Sequence, residues 1–247
     1  MKQIVQNLFN RFGYELRRTA PHDPFVIQSQ LVTNPTPTIF DIGAHIGTTA
    51  KQYRDLFPSA RVHCFEPFPE SFEKLKATTE GDARTTCYQL AVSSASGVAE
   101  MNSNASSATN SLLNSDKRAA SYWGDGVYET KSKVQVTTTT VDEFCKEHDI
   151  AAIDILKLDI QGLEYQALQG AAGMLSSQAV SLIYTELIMV PAYQGQKQFH
   201  EYLHLLCGFG YELLDLYSPA LVRKQMIQAD CIFVSSKFKQ QYDRAHG

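Results

Sequence analysis

The stretch that decides the fold of this chain covers residues 38–49 and reads TIFDIGAHIGTT. Its apolar first part runs to Asp41, and a turn with glycines at positions 43 and 47 leads into residues that suit a helix. This order predicts a buried strand, a tight loop and a helix N-terminus, the first unit of a nucleotide-binding α/β domain. The glycines let the backbone approach a ligand closely, and the free N–H groups of the helix start suit a polar ligand group.

The spacing of this loop distinguishes two kinds of cofactor site. The pattern is Asp-x-Gly-x-x-x-Gly, and not the Gly-x-Gly-x-x-Gly of dinucleotide sites. With the acid before the first glycine, the loop resembles motif I of class I S-adenosylmethionine (SAM) methyltransferases, which holds the methionine end of the cofactor. We therefore expect cofactor contacts from Asp41, Gly43, Ala44, His45, Gly47 and Thr48.

A second acid follows at the expected place. Residues 61–67 read RVHCFEP, a short strand that ends in Glu66, 25 residues after Asp41. In a βαβ unit such an acid lies beside the first loop and accepts both ribose hydroxyls, because a carboxylate has two acceptor oxygens. A surface acid at a strand end is the alternative. Pro67 fixes the chain just after the acid, and we include it in the cofactor site.

The third predicted strand covers residues 85–92, and residues 93–97 turn the chain back. By analogy with the doubly wound topology, its end lies where an adenine base binds. The small residues Ala91 and Ser93 leave room for a ring there, although a plain hairpin turn explains them equally well.

The second informative unit, residues 154–164, reads DILKLDIQGLE. An apolar strand ends in Asp159, turns at Gly162 and enters a helix that is predicted to run through Leu175. In a parallel sheet Asp159 lies at the same edge as Asp41, together with Gln161 of the predicted cofactor site. Asp159 is a candidate general base, metal ligand or cofactor anchor, and a helix cap is the simpler alternative.

The later part of the chain supplies further candidates. Residues 181–187 form a predicted strand with Glu186 near its end, and residues 196–207 form a predicted helix. This helix displays His200 and His204 with the i, i+4 spacing of a metal pair, but no HExxH pattern surrounds them, so we interpret them as a solvated or packed pair. Residues 211–217 and 228–235 close the sheet as two strands.

Two segments lie outside this regular pattern. We expect residues 1–30 to form an amphipathic helical extension and an extended, proline-marked linker, and residues 31–247 to form the SAM-binding domain. The basic extension is expected to pack on the core, with contact to a membrane surface or a partner as the alternative. Residues 102–130 are predicted to be a lid or substrate loop, with disorder as the alternative. Trp123 within it either stacks on a sugar ring or anchors the loop.

Composition sets further limits. The 247 residues allow one large domain, and the net charge of −4 argues against a broad nucleic-acid-binding face. Five scattered cysteines without CxxC spacing indicate reduced thiols and no zinc site. With no signal peptide or transmembrane stretch expected, we predict a cytoplasmic protein. The oligomeric state is not predictable from the sequence.

Six segments in order resemble the FkbM family of SAM-dependent methyltransferases. They are residues 41–47 (DIGAHIG), 65–67 (FEP), 91–93 (AVS), 138–144 (TTTVDEF), 157–171 (KLDIQGLEYQALQGA) and 229–234 (ADCIFV). The family more often has Asn at the position of His45, and many members have Glu at that of Gln161. The resemblance implies a Rossmann-like class I α/β fold with a seven-stranded, mostly parallel sheet, an antiparallel last strand and helices on both faces. It also implies SAM as cofactor and O-methylation of a hydroxyl, often on a sugar or polyketide.

Methyl transfer to a sugar hydroxyl benefits from a base that removes its proton. We assign that role to Asp159, with Glu186 or His200 as alternates and a divalent metal on Asp159 as a further possibility. The expected partner is a small-molecule or glycan acceptor, and no nucleic acid. Two rival functions remain: an NAD-dependent oxidoreductase, disfavoured by the glycine spacing, and a non-catalytic binding module.

Overall fold

The computed structural model describes residues 23–246 of the chain. The helix predicted within residues 1–20 lies outside this range. None of the helices within it combines the length and hydrophobicity needed to span a bilayer.

The described chain alternates strands and helices. Its strands are β1 (Thr38–Ile42), β2 (Arg61–Phe65), β3 (Thr85–Tyr88), β4 (Ala91–Val92), β5 (Gly97–Asn104), β6 (Thr130–Thr139), β7 (Ile153–Leu158), β8 (Val180–Ile188), β9 (Tyr211–Val222) and β10 (Gln225–Ser235). Its α-helices are α1 (Pro24–Leu31), α2 (Thr48–Leu56), α3 (Pro69–Thr78), α4 (Ala120–Trp123), α5 (Val141–Glu147), α6 (Glu164–Gln169), α7 (Ala172–Ser176), α8 (Phe199–Gly208) and α9 (Ser236–His246). Short 3-10 turns cover Ser107–Thr109 and Lys117–Ala119.

Seven strands form one sheet in the order β3-β2-β1-β7-β8-β10-β9. The first five of these pair in parallel, whereas the last strand of the chain, β10, runs antiparallel to both β8 and β9. One face packs against α5, α6, α7 and α8, and the other against α1, α2, α3 and α9. The predicted fold class is confirmed.

A second sheet of three strands, in the order β4-β6-β5, was not predicted. The single strand expected over residues 85–92 is divided at Gln89 and Leu90 into β3, in the main sheet, and β4, in the small one. The change of partner explains the break: β4 pairs in parallel with β6, and the N–H of Ser93 donates to the carbonyl of Thr139 at 2.9 Å. The β-branched residues 134–141 predict a further strand. Residues 134–139 do belong to a strand, β6, but it lies outside the main sheet, and Val141 begins α5.

Two predicted helical boundaries were wrong. The helix expected to run through Leu175 ends at Gln169, because the backbone leaves helical geometry across Gly170 and Ala171. Gly170 also packs so closely on Ser93 that a Cβ atom would lie 2.1 Å from the Ser93 carbonyl oxygen. A new helix, α7, then begins, and the carboxylate of Asp142 accepts the N–H groups of Gly173 and Met174 at 2.7 and 2.9 Å. Asp142 thus caps α7. The sequence predicts Asp142 as the cap of the short helix now called α5, but Thr140 takes that role, and its side chain accepts the N–H of Glu143.

The extended linker predicted from the prolines is also wrong in part, because α1 occupies Pro24–Leu31. Asp23 accepts the N–H of Phe25 at 2.8 Å, and Pro24 suits the first helical turn, so the local sequence favours a helix start. The helix packs on the sheet through Phe25, whose ring centroid lies 5.4 Å from that of Tyr184 on β8. Its Gln28 accepts the buried hydroxyl of Tyr53 at 2.9 Å.

A buried ion pair joins the two central strands. Lys157 on β7 is the register partner of Asp41 on β1, and its Nζ lies 2.8 Å from Asp41 Oδ1, with side chains only 5% and 0% exposed. The same ammonium donates to the carbonyls of Ile42 at 3.3 Å and Gly43 at 2.9 Å. Burial lowers the pKa of Lys157, but Asp41 and Asp159 outweigh it and raise this pKa above its usual value. The pair therefore fixes the start of the glycine loop against β7.

We predict that Lys157→Met lowers the free energy of unfolding by about 3–5 kcal/mol, because it leaves the carboxylate of Asp41 buried and unpaired. Urea unfolding followed by circular dichroism measures the loss. The matched control is Lys133→Met, which breaks the half-exposed pair with Glu100 and should cost less than about 1 kcal/mol. Equal stabilities of the two variants would contradict the importance of the buried pair.

Candidate active site

A cavity of about 360 Å³ opens where β1, β2, β7 and β8 end. Parallel α/β sheets bind ligands at this edge. Eight of the predicted site residues line it: Gly43, His45, Glu66, Pro67, Ala91, Asp159, Gln161 and Glu186. The sequence motifs thus converge on one site.

The glycine loop lies against the end of β7. Gly43 has φ of +78°, and a Cβ atom there would lie 1.9 Å from the carbonyl oxygen of Asp159. His45 also has a positive φ, of 49°, a conformation in which Asn and His are both enriched. This shared preference explains how His45 stands where Asn is commoner. Its Nε2 lies 3.0 Å from Ser107 Oγ, so the ring also connects the loop to the opposite wall of the cavity.

Glu66 lies at the end of β2 with its carboxylate on the cavity wall. Its Oε2 accepts the N–H of His45 at 3.0 Å and its Oε1 accepts that of Phe68 at 2.8 Å. Burial raises the pKa of Glu66 to about 7, although both hydrogen bonds favour the charged form. Each oxygen keeps a further acceptor position, as a ribose diol requires. Apolar groups from Phe65, Leu90 and Val92 line the adjacent wall.

Asp159 and Glu186 lie on either side of one amide. Nε2 of Gln161 donates to Asp159 Oδ1 at 3.0 Å and to Glu186 Oε2 at 3.1 Å. Gln228 on β10 donates to the other oxygen of Glu186 at 2.5 Å. Burial and the charge of Asp159 raise the pKa of Glu186 well above its usual value. The two carboxyl groups therefore form one linked unit facing the cavity.

The turn that carries Gln161 is held from several sides. Gln161 has φ of 57°, and its side-chain oxygen accepts the hydroxyl of Tyr193 at 2.9 Å. The buried carboxylate of Glu164 accepts the N–H groups of Ile160 at 2.8 Å and Gly162 at 3.0 Å. A strained backbone that several bonds hold in place is typical of functional sites.

Residues 105–129, here called the cover segment, form the wall opposite the sheet. Its residues that line the cavity are Ser107, Ala108, Thr109, Asn110, Leu112, Trp123 and Tyr128. Tyr193 donates to the carbonyl of Thr109 at 2.9 Å, and Ser111 donates to that of Gln161 at 2.8 Å. The segment is therefore ordered and attached to the turn at residues 160–162; its role as a lid stays a prediction.

The remaining predicted residues lie away from the cavity wall: Asp41, Ala44, Gly47, Thr48, Ser93 and His200. Asp41 acts on the loop through Lys157 instead of facing the cavity. His200 is exposed on α8, as is His204, so the structure separates His200 from Asp159 and Glu186. Within residues 23–246, no group of three His, Cys, Asp or Glu side chains could hold a metal ion.

The sequence interpretation missed three residues that build the site. Lys157 precedes Asp159 in the same motif, and a lysine inside an apolar strand is a signal for a buried partner. Gln228 lies just before a segment already singled out, at residues 229–234. Tyr193 carried no sequence signal, because its two hydrogen bonds depend on how separate loops meet.

Comparison with known proteins gives the family. The family model described as methyltransferase FkbM domain matches residues 41–213. The chain is 25% identical to the 2-O-methyltransferase NoeI of Sinorhizobium fredii, over 83% of this chain and 86% of that protein. It is 26% identical to the 31-O-demethyl-FK506 methyltransferase FkbM of Streptomyces tacrolimicus, over 55% of this chain and 60% of that protein.

Solved structures agree on the fold. An FkbM methyltransferase from Methylobacillus flagellatus aligns with a TM-score of 0.51 and 15% identity, covering 84% of this chain. The match spans about half of that longer protein, 47% of its length. An rRNA methylase from Streptococcus thermophilus aligns with a TM-score of 0.50 and 10% identity, over 89% of this chain and 99% of that one. At these identities the likeness concerns the fold alone.

The residues present fit SAM. The carboxylate of Glu66 offers acceptors for a ribose diol, and the apolar wall beside it suits an adenine ring. Gly43 keeps the loop close to β7, and the carboxylate of Asp159 suits a positively charged cofactor. The chain belongs to the FkbM methyltransferase family, and it is a SAM-dependent methyltransferase.

Proposed function

We propose that this enzyme methylates a hydroxyl oxygen of a sugar within a glycan or glycolipid. The observation that carries the proposal is the carboxylate of Asp159, which faces the cavity beside the glycine loop and is oriented by Gln161 at 3.0 Å. A sugar hydroxyl is a weak nucleophile, so a fixed base beside it is the chemistry that O-methylation needs.

SAM, when bound, supplies a methyl group on a positively charged sulfur. The residues of the chain align the acceptor and receive its proton. As the acceptor oxygen bonds to the methyl carbon, the carbon–sulfur bond would break and leave S-adenosylhomocysteine, while the hydroxyl proton would pass to Asp159. The cover segment, attached through Tyr193 and Ser111, limits the access of water to this position.

The hydrogen bonds favour Asp159 over Glu186 as the base. Both oxygens of Glu186 accept amide N–H groups, from Gln161 and Gln228. Only Oδ1 of Asp159 is engaged in this way; within the described part of the chain, no donor binds its Oδ2. Oδ2 is therefore available to an acceptor hydroxyl, whereas Glu186 orients the amides around it.

The walls of the cavity support a sugar as acceptor. Trp123 and Tyr128 present aromatic surface, with ring centroids 5.4 Å apart. Amide groups from Asn110 and Gln228 offer donors and acceptors for hydroxyl groups. The similarity to NoeI, a 2-O-methyltransferase, supports transfer to oxygen. A hydroxyl of a polyketide-type natural product is the second candidate, because the other relative is named for 31-O-demethyl-FK506.

Transfer of labelled methyl groups tests the proposal. The enzyme is incubated with methyl-labelled SAM and oligosaccharide and glycolipid fractions, which are then hydrolysed and analysed for methylated monosaccharides. Label in a sugar methyl ether supports the proposal. Label confined to non-carbohydrate products, or to nitrogen or carbon, would overturn it.

We predict that Asp159→Asn lowers the turnover number by about 10²–10⁴-fold, because the amide cannot accept the hydroxyl proton. Its dissociation constant for S-adenosylhomocysteine, measured by calorimetry, should change less than about threefold, since only one charge near the ligand is lost. Asp149→Asn, at an exposed position, is the matched control and should keep full activity. Wild-type turnover in Asp159→Asn would remove this residue from the mechanism.

A second prediction concerns pH. A ribose diol donates to the charged carboxylate of Glu66, whose pKa is raised to about 7 by burial. As pH falls through this value the carboxyl group becomes protonated, so affinity is lost on the acidic side. Calorimetry should show S-adenosylhomocysteine binding about tenfold more weakly at pH 6 than at pH 8.

The variant Glu66→Gln cannot titrate, so its affinity should be low and nearly independent of pH over this range. Glu70→Gln, an exposed neighbour at the start of α3, should keep the wild-type pH dependence. An unchanged pH dependence in Glu66→Gln would assign the effect to another group.

A further inference from the structure

The cavity has two halves along the edge of the sheet. From β2 to β10 the lining residues follow the strand order: Glu66, Gly43, Asp159, Glu186 and Gln228. Adjacent strands lie about 4.8 Å apart, so Gln228 stands about four spacings, or roughly 19 Å, from Glu66. Since Glu66 marks the nucleoside half, the half from Asp159 to Gln228 is left for the acceptor.

The acceptor half is built without positive charge. It contains the carboxyl groups of Asp159 and Glu186, the amides of Gln161 and Gln228, and aromatic rings from the cover segment. Among residues 23–246, no lysine or arginine lines the cavity.

The basic groups nearest in the sequence motifs are not placed to pair with a ligand, although the charge of Lys157 acts through space on Asp159 and Glu186. The ammonium of Lys157 is buried, paired with Asp41, and donates to two backbone carbonyls. Burial lowers the pKa of His45, which disfavours its charged form. An anionic group in the acceptor half would therefore lie beside two carboxyl groups, and no side chain among residues 23–246 is placed to pair with it.

We propose that the acceptor carries no negative charge at the part that enters the cavity: the enzyme selects neutral sugars and rejects uronic acids, sugar phosphates and sugar sulfates. That the acceptor is a sugar rests on the proposed function, but the exclusion of negatively charged acceptors does not. Burying an anion next to like charges without a counter-ion is costly, whereas neutral hydroxyl groups hydrogen-bond to carboxylates and amides alike.

The electrostatic part can be tested without an acceptor, because Trp123 is the single tryptophan of the chain and lines the cavity. Its fluorescence is quenched by caesium or iodide at pH 8.5, chosen because burial raises the pKa of Glu186 and a higher pH favours its charged form. A negative potential of about kT/e at Trp123 concentrates caesium and depletes iodide. The ratio of caesium to iodide quenching should then be about sevenfold higher than for N-acetyltryptophanamide. For the full chain at low salt, we expect this quenching ratio to be at least about threefold higher than that of N-acetyltryptophanamide.

Matched variants locate the source of this ratio. Asp159→Asn should move it toward that of the free compound, whereas Glu80→Gln removes a carboxylate from the exposed turn after α3 and should leave it unchanged. A wild-type ratio at or below that of the free compound would overturn the inference.

The selection of acceptors is tested with paired probes and methyl-labelled SAM. Methyl glycosides of neutral hexoses and deoxyhexoses are each compared with the corresponding uronic acid or 6-phosphate. A kcat/KM at least tenfold higher for the neutral member supports the inference, and equal or preferred use of the charged member overturns it. If label enters only non-sugar hydroxyls, the proposed sugar acceptor fails, while the quenching ratio still decides the charge selection.

Discussion

The ammonium of Lys157 is the constraint on which the site depends. It lies in an apolar sheet, 2.8 Å from the carboxylate of Asp41, and its remaining protons go to the carbonyls of Ile42 and Gly43. A buried charge is tolerated only when it is paired and hydrogen-bonded, so this geometry is strongly specified. It joins two motifs that lie 115 residues apart in the chain. The glycine loop and Asp159 consequently share one edge with little freedom between them.

The same edge shows how the chain holds irregular backbone in place. Gly43 approaches Asp159 so closely that no side chain fits, and Gln161 adopts a left-handed conformation that a glutamine rarely takes. The conformation of Gln161 is held by specific bonds: the N–H groups of Ile160 and Gly162 donate to Glu164, and the Gln161 amide donates to two carboxyl groups. Strain of this kind persists only where the surroundings determine the conformation, and here it fixes the position of the candidate base.

The second sheet and the cover segment add what the main sheet lacks. The antiparallel pairing of β5 with β6 carries the chain out to residues 105–129, which return to the cavity. Backbone bonds then connect this segment to the loop after β8, from Asp116 to Ala192 and from Gln194 to Asn114, both at 2.8 Å. The cavity therefore takes its aromatic wall, Trp123 and Tyr128, from a part of the chain that has no regular hydrophobic period.

The sequence alone determined the main sheet, the glycine loop, Glu66 and Asp159, because strand periodicity and turn residues are local properties and the carboxyl ends of parallel strands meet at one edge. It did not determine that Asp41 faces Lys157 and not the cavity, that His200 lies apart from the site, or that Tyr193 joins the cover segment to Gln161. These facts depend on which strands are neighbours and on how distant loops meet, and only the tertiary structure sets both. Local sequence determined which side chains lie at this edge of the sheet, and tertiary packing determined what they contact.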